Sequence, residues 1–134
     1  MLTAISAVLV FLVLVLVHEF GHFITAKLCG VTVHEFAIGM GPAIFKKQGK
    51  ETLYSLRLIP IGGYCAMEGE DEESDKEGSF SKKKPWQRLI ILVSGAFMNL
   101  LLGFILMCCI MFSPNSNYVN VPEISTVLEE SGAA

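Results

Sequence analysis

The stretch LVLVLVHEFGHFITAKLCG, residues 12–30, places two histidines and a glutamate directly after an apolar run. No charged residue occurs in 1–17 or in the 24 residues of 89–112. A helix rises about 1.5 Å per residue, so the second run is long enough to cross a hydrocarbon layer about 30 Å thick. The first run continues as a predominantly apolar segment through the histidines. The sequence therefore predicts two transmembrane helices, over 1–29 and 89–112.

The composition excludes several classes of protein. The chain has 134 residues, of which 52% are hydrophobic and 17% are charged, and this length suggests one domain at most. The high apolar fraction excludes intrinsic disorder, and the net charge of -3 argues against a nucleic-acid partner. The four cysteines contain no C-x-x-C pair and no disulfide-like spacing. A secretory signal peptide is the alternative for the N-terminus, but a basic first segment and a small-x-small cleavage site are both missing.

The basic residues predict the membrane topology. All ten Lys and Arg residues lie between Lys27 and Arg88. Cytoplasmic loops carry an excess of Lys and Arg, so we expect a multi-pass protein of the cell membrane with loop 30–88 in the cytoplasm and both termini outside. The three lysines of 82–84, close to Trp86, suit the lipid headgroup layer and are interpreted as a topology anchor.

The segment between the two spans is predicted to begin as a membrane-associated β-hairpin region, 30–67. Residues 31–38 and 52–59 are rich in Val, Ile, Thr, Tyr and Leu, and glycines, a proline and a polar KKQGK turn separate them. Residues 68–88 follow as an acidic linker and a basic juxtamembrane segment, and the acidic part is expected to lie in solvent. The predicted fold class is an α-helical multi-pass membrane protein with two transmembrane helices and an intervening β-hairpin on the cytoplasmic side.

The chemistry of the chain is predicted to lie in HEFGH, residues 18–22. His18 and His22 are four residues apart, so on a helix both imidazoles lie on one face and can reach a single metal ion. Glu19 lies about 100° further round the helix, near enough to hold a water molecule as general base. Zinc in such a site lowers the pKa of its water to about 7. The alternative is a set of polar residues that joins two packed helices, but each ionisable side chain is costly inside a span.

The order and spacing of these elements resemble the site-2 proteases, a family of intramembrane zinc metalloproteases. The resemblance is strongest to the bacterial branch that carries PDZ domains and acts in regulated intramembrane proteolysis. HEFGH resembles the family's zinc helix, and the segments 39–42 and 58–64 resemble its membrane-associated hairpin region. SGAFMN, residues 94–99, resembles the G-x-x-x-N element of the next span, and 113–134 resembles the start of an extracytoplasmic PDZ-like domain.

The resemblance implies a zinc-dependent endopeptidase that cleaves peptide bonds in or near transmembrane segments of membrane-bound regulators such as anti-sigma factors. It implies Zn2+ as the cofactor, His18 and His22 as metal ligands, and Glu19 as the catalytic base. It also implies that Asn99 and Gly95 bind substrate, although by chemistry alone Asn99 equally suits a hydrogen bond between helices. The implied partners are a transmembrane protein substrate and the lipid bilayer.

The resemblance leaves one zinc ligand unplaced. The family's third ligand is an aspartate in an Asp-Gly pair on a later span, but Asp71 and Asp75 both lie in the acidic linker and neither precedes glycine. His34 has suitable chemistry, but it lies in a predicted strand, where a solvated histidine is the simpler interpretation. We interpret the chain as the N-terminal portion of a longer enzyme, or as a truncated gene product, that by itself binds zinc weakly. The alternative is a non-catalytic membrane scaffold or interaction fragment with an incomplete zinc site.

Overall fold

The structure is a computed structural model that describes residues 1–72 and 74–113. Within them the chain forms two helices and two strands: α1 (Leu2–Leu28), β1 (Val33–Gln48), β2 (Leu53–Met67) and α2 (Pro85–Met111). Two long apolar helices with an antiparallel sheet between them confirm that part of the predicted fold. The expected PDZ-like segment lies outside the described residues, apart from Ser113.

The chain divides into two compact units, Met1–Phe104 and Ile105–Ala134. The first unit contains α1, the sheet and most of α2. Of the second unit, the structure describes the end of α2 and the residues up to Ser113. The HEFGH motif and its contacts belong to the first unit.

Both helices have the length and composition of membrane spans. Each contains 27 residues, and the mean hydropathy of an 18-residue window is 2.4 in α1 and 2.5 in α2. α2 begins at Pro85, where proline suits the first turn of a helix, and the Gln87 side chain accepts a hydrogen bond from the Lys84 backbone N–H at 3.2 Å. Large apolar side chains are exposed along both helices, among them Leu9, Phe11, Leu100 and Phe104. Such surfaces suit lipid better than water.

One segment of β1 has a neighbouring segment of β2 on each side. Residues 35–38 pair with 63–66 in opposite directions and lie beside 53–56 in the same direction. This arrangement requires β1 to turn sharply, and Gly39 and Gly41 provide the turn with φ values of 84° and 82°. The remainder of β1 then folds back along the start of β2.

The last part of β2 forms an outer edge of the sheet. Cys65 pairs with Phe36 on the inner side, and no other described segment pairs with the outer side. We refer to residues 63–67 as the edge segment. Its outer side therefore has no strand partner among the described residues, and an edge of this kind is where another extended chain can add.

A small core holds the edge segment against α1. It lies where the end of α1, the sheet and the start of α2 meet, and Val33 and Ile91 within it are fully buried. Cys65 and Met67 bring the edge segment into this core. The ring of Phe23 on α1 packs against Phe36 of β1, with 5.2 Å between ring centroids. The histidine-bearing turn of α1 and the edge segment are thus parts of one packed body.

Candidate active site

The two predicted histidine ligands lie side by side on α1. The Nε2 atoms of His18 and His22 are 3.1 Å apart. Two nitrogens bound to one tetrahedral zinc ion at about 2.0–2.1 Å each are separated by about 3.3 Å. The two imidazoles therefore fit a shared zinc ion.

A backbone carbonyl of α2 fixes the orientation of one imidazole. The Nδ1 atom of His22 is 2.7 Å from the carbonyl oxygen of Ile91. A carbonyl oxygen can only accept, so Nδ1 carries the proton and donates it. Nε2 is then left with its lone pair free for a metal ion, as in most zinc-binding histidines.

Small residues allow α2 to approach the histidines. A Cβ atom on Gly95 would lie 2.6 Å from Nε2 of His22 and 2.8 Å from Nε2 of His18. A Cβ atom on Gly21 would lie 2.6 Å from the carbonyl oxygen of Ser94. The hydroxyl groups of Ser94 and Thr25 are 2.8 Å apart and join the two helices. Gly95 thus has a steric role at the histidine pair, in addition to the substrate contact that the resemblance implies.

Glu19 lines two cavities. The first cavity, of about 350 Å³, is shared with His18, Asn99 and three apolar residues of α1, namely Phe11, Leu14 and Val15. The second cavity, of about 500 Å³, contains His22 and part of the edge segment. Glu19 is therefore accessible from both cavities and adjacent to both histidines, which is the position that a general base requires.

Asn99 has an unsatisfied acceptor near the histidines. Its Oδ1 atom is buried and has no hydrogen-bond partner among the described residues. A buried acceptor without a partner is costly, and such groups are rare in folded proteins.

The acidic linker turns back toward the site. Glu70 and Asp71 are exposed, as expected for the linker, but they also line the same cavity as Glu19 and His22. Gly69 has a φ of 73°, which permits the turn that brings them there. Partial desolvation raises the pKa of Glu70.

The third zinc ligand is not found among the described residues. No group of three His, Cys, Asp or Glu side chains within 1–72 and 74–113 is placed to share a metal ion. His34, which has suitable chemistry, instead places its Nε2 atom 2.5 Å from Oε2 of Glu68. Asp75 is paired with Lys82 at 3.5 Å.

Two features of the site could not be found by motif reading. The Ile91 carbonyl belongs to the backbone, so no residue type signals its contact with His22. Glu70 and Asp71 are drawn to the site by the turn at Gly69, and in the sequence they are part of a continuous acidic run. A glycine at the start of that run was the one available signal.

Comparison with known proteins identifies relatives of this arrangement. The chain is 46% identical over 121 residues to a "Putative zinc metalloprotease" of Clostridium acetobutylicum, and the aligned region covers 90% of this chain and 36% of that protein. It is 52% identical over 102 residues to a protein of the same name from Clostridium perfringens, covering 76% of this chain and 30% of that protein. It is 58% identical over 74 residues to "Probable protease eep" of Enterococcus faecalis, covering 54% of this chain and 18% of that protein.

The chain spans about a third of the length of the first of these relatives. The profile described as peptidase family M50 matches residues 6–131 and therefore almost the whole chain. The family match includes the paired histidines, the sheet and α2. This chain belongs to peptidase family M50, the family of the site-2 proteases.

Proposed function

We propose that this chain carries the N-terminal part of a zinc-dependent intramembrane endopeptidase. Its substrates would be membrane-bound regulators such as anti-sigma factors, cleaved in or near their transmembrane segments. The observation that carries the proposal is the 3.1 Å separation of the His18 and His22 Nε2 atoms on a helix of membrane-spanning length. Relatives named zinc metalloproteases support Zn2+ as the metal.

Each residue of the site has a proposed role in zinc binding or proton transfer. His18 and His22 would hold the zinc ion, which supplies Lewis acidity toward a carbonyl oxygen and makes nearby water more acidic. The Glu19 carboxylate would accept a proton from the attacking water and deliver it to the leaving amide nitrogen. The Ile91 carbonyl keeps His22 in the tautomer that leaves Nε2 free.

The edge segment supports a mode of substrate binding. The backbone carbonyls of a membrane helix are already hydrogen-bonded within the helix, so a scissile segment must be unwound before it is cut. An unwound chain could pair with the outer side of residues 63–67, by β-strand addition next to Glu19. Asn99 would accept a hydrogen bond from the freed substrate backbone, since its Oδ1 atom has no partner among the described residues. Gly95 would leave room for that backbone beside the histidines.

The membrane arrangement is part of the proposal. Both helices have the composition of spans, and all ten Lys and Arg residues lie between them or at their ends. We place loop 30–88 on the cytoplasmic side and both termini outside, following the distribution of positive charge. The lipid bilayer and a transmembrane protein substrate are then the partners of the site.

The third ligand is proposed to come from elsewhere in the enzyme. Catalytic zinc sites normally have three protein ligands, and no Asp-Gly pair occurs in this sequence. We assign that ligand to an aspartate on a later helix of the complete enzyme. A non-catalytic scaffold is the competing proposal, because the described residues supply only two histidines at the site.

Cleavage by the complete enzyme tests the proposed function. Purified enzyme and a membrane-helix substrate would be reconstituted in vesicles, with and without a zinc chelator. We expect cleavage that stops with the chelator and returns when zinc is added back. No cleavage at all would favour the competing proposal, and cleavage that the chelator does not affect would contradict the zinc mechanism.

A further inference from the structure

We propose that Glu35 is a positioning residue that holds the edge segment beside Glu19, acting through the hydroxyl of Tyr64. The inference rests on the proposed function, because it concerns how that site receives an extended substrate. It assigns a role to a carboxylate on β1 that belongs to neither the metal centre nor the acidic linker.

The edge segment lies close to the proposed catalytic base. A Cβ atom added to Gly63 would be 3.5 Å from Cγ of Glu19 and 3.7 Å from Cγ1 of Val15. Tyr64 and Cys65 line the cavity that also contains Glu19 and His22. A substrate strand on the outer side of this segment would therefore take its position relative to Glu19 from the edge segment. An edge segment that is less ordered would bind that strand less tightly, because binding would then have to order it.

Glu35 connects the edge segment to the rest of the sheet. It lies on the central segment of β1, and its Oε2 atom accepts a hydrogen bond from the Tyr64 hydroxyl at 2.7 Å. Its Oε1 atom accepts hydrogen bonds from Ser55 at 2.5 Å and from Nη2 of Arg57 at 2.8 Å. Ser55 and Arg57 belong to the opposite neighbour, the first part of β2. One carboxylate thus joins three adjacent segments of the sheet.

Arg57 reinforces the same connection. Its guanidinium lies 4.9 Å from the centroid of the Tyr64 ring and also contacts the Tyr64 hydroxyl. Its Nη1 atom donates to the carbonyl oxygen of Gly41 at 2.8 Å, where β1 turns. The Glu35 and Arg57 side chains are only 19% and 21% exposed, so water competes weakly for these bonds.

The charge on Glu35 is stable at neutral pH. Burial alone would raise its pKa, but hydrogen bonds from Ser55, Tyr64 and Arg57 outweigh that effect and lower the pKa. The carboxylate therefore remains an acceptor for all three donors. The position of the Glu35 carboxylate between its two neighbouring segments is a geometric observation that does not depend on its lowered pKa.

Removing one hydroxyl tests the proposal with little change in shape. Tyr64→Phe deletes the bond to Glu35, and Tyr54→Phe is the matched control in the same sheet, because the Tyr54 ring packs on Phe23 and its hydroxyl has no hydrogen bond among the described residues. The reporter is the native Cys65, which is only 7% exposed and has its thiol pKa raised by burial to about 12. The other three cysteines, Cys29, Cys108 and Cys109, would be replaced by alanine.

Labelling of Cys65 with a maleimide gives a readout that does not require activity. We expect Tyr64→Phe to raise the labelling rate by about fivefold, the factor that corresponds to about 1 kcal/mol for one hydrogen bond. Glu35→Gln is expected to act in the same direction, and Tyr54→Phe to leave the rate unchanged. An unchanged rate in Tyr64→Phe, or an equal rise in Tyr54→Phe, overturns the proposal.

The kinetic arm uses the complete enzyme and separates positioning from stability. If Tyr64 positions the strand that binds substrate, Tyr64→Phe raises KM by about fivefold with kcat nearly unchanged. A merely structural role would reduce the folded fraction, and so lower the apparent kcat at constant KM. A constant KM therefore also overturns the proposal. Failure of the proposed function would give a different result from failure of this proposal, because the wild-type enzyme would show no zinc-dependent cleavage. Cys65 labelling alone would then decide the role of Glu35.

Discussion

The carbonyl oxygen of Ile91 on α2 lies 2.7 Å from Nδ1 of His22 on α1. This single contact selects the tautomer of a proposed zinc ligand and ties the two membrane-length helices together at the site. Ser94 donates to the same carbonyl at 2.6 Å, so the oxygen serves both the helix contact and the histidine. The orientation of the proposed zinc ligand and the packing of the two helices are therefore coupled.

A methyl group at position 95 is expected to disrupt the zinc site. Gly95→Ala places a Cβ atom 2.6 Å from Nε2 of His22, where the ligand atom must face the metal. We expect zinc affinity of the complete enzyme to fall by at least about tenfold, a typical effect of displacing a ligand through its surroundings. Zinc titration of the purified protein measures it.

Gly103→Ala is the matched control for that substitution. It lies on the same helix, and a Cβ atom there meets nothing within 4 Å. Zinc affinity should therefore be unchanged in Gly103→Ala. Equal affinities of the Gly95→Ala, Gly103→Ala and wild-type enzymes would show that Gly95 does not shape the site.

Mutation of the proposed base and mutation of a proposed ligand should have different effects on zinc binding. Glu19→Gln in the complete enzyme is expected to abolish cleavage and leave zinc bound, because Glu19 accepts a proton and does not coordinate the metal. His22→Ala should lose both cleavage and zinc. Cleavage assays combined with metal analysis give the answer, and normal cleavage by Glu19→Gln would refute the mechanism.

The topology gives a labelling prediction. In a variant without native cysteines, a cysteine at Asn117 should react with a membrane-impermeant maleimide added to intact cells, and a cysteine at Gly49 should not. The reason is that all ten Lys and Arg residues lie between Lys27 and Arg88, which favours a cytoplasmic position for that segment. After the cells are permeabilised, both positions should react. External labelling of position 49 in intact cells would reverse the assignment.

The contacts of Glu68 predict acid sensitivity of the linker. Hydrogen bonds from Ser74, His34 and Lys76 lower the pKa of Glu68 to about 2. Its folded pKa is below the unfolded value of about 4.3, so the stabilisation is complete above that pH and is lost as pH falls toward about 2. Hydrogen exchange of backbone amides near Ser74, corrected for the intrinsic rate, should accelerate across that range.

Glu68→Gln supplies the control for the acid effect. Its linker should exchange rapidly at every pH between about 5 and 2, because the ionisable acceptor is gone. Wild-type protection that stays constant over the same range would contradict the role assigned to Glu68.

Local spacing was enough to predict that the two histidines lie side by side, and long-range contacts were not predictable. His18 and His22 share a helix face because they are four residues apart, and the 3.1 Å separation of their Nε2 atoms follows from that spacing and their rotamers. The Ile91 contact spans 69 residues and involves a backbone atom, so no pattern of side chains marks it. The hydrogen bond from Tyr64 to Glu35 depends on which segments of the bent strands pair with each other. The alternation of apolar and polar residues in the sequence does not specify that pairing.

In the fold, too, features set by neighbouring residues were predictable and features set by long-range pairing were not. Long uncharged runs predicted two helices, because hydropathy is a property of consecutive residues. The turn of β1 at Gly39 and Gly41 was expected to separate elements, but the structure continues the strand through it with a sharp change of direction. That difference decides which part of β2 becomes the outer edge, and hence where an extended substrate could bind.

The most direct test of the central claim is metal analysis of this chain purified in detergent, alone and together with a separate fragment that carries the later Asp-Gly helix. His18 and His22 supply two ligands, so the chain alone should bind zinc weakly and cleave nothing. Addition of the fragment should raise the zinc content toward one ion per complex, and His22→Ala should remove that gain. A zinc content that does not rise with the fragment, or that is the same in His22→Ala, would contradict the account.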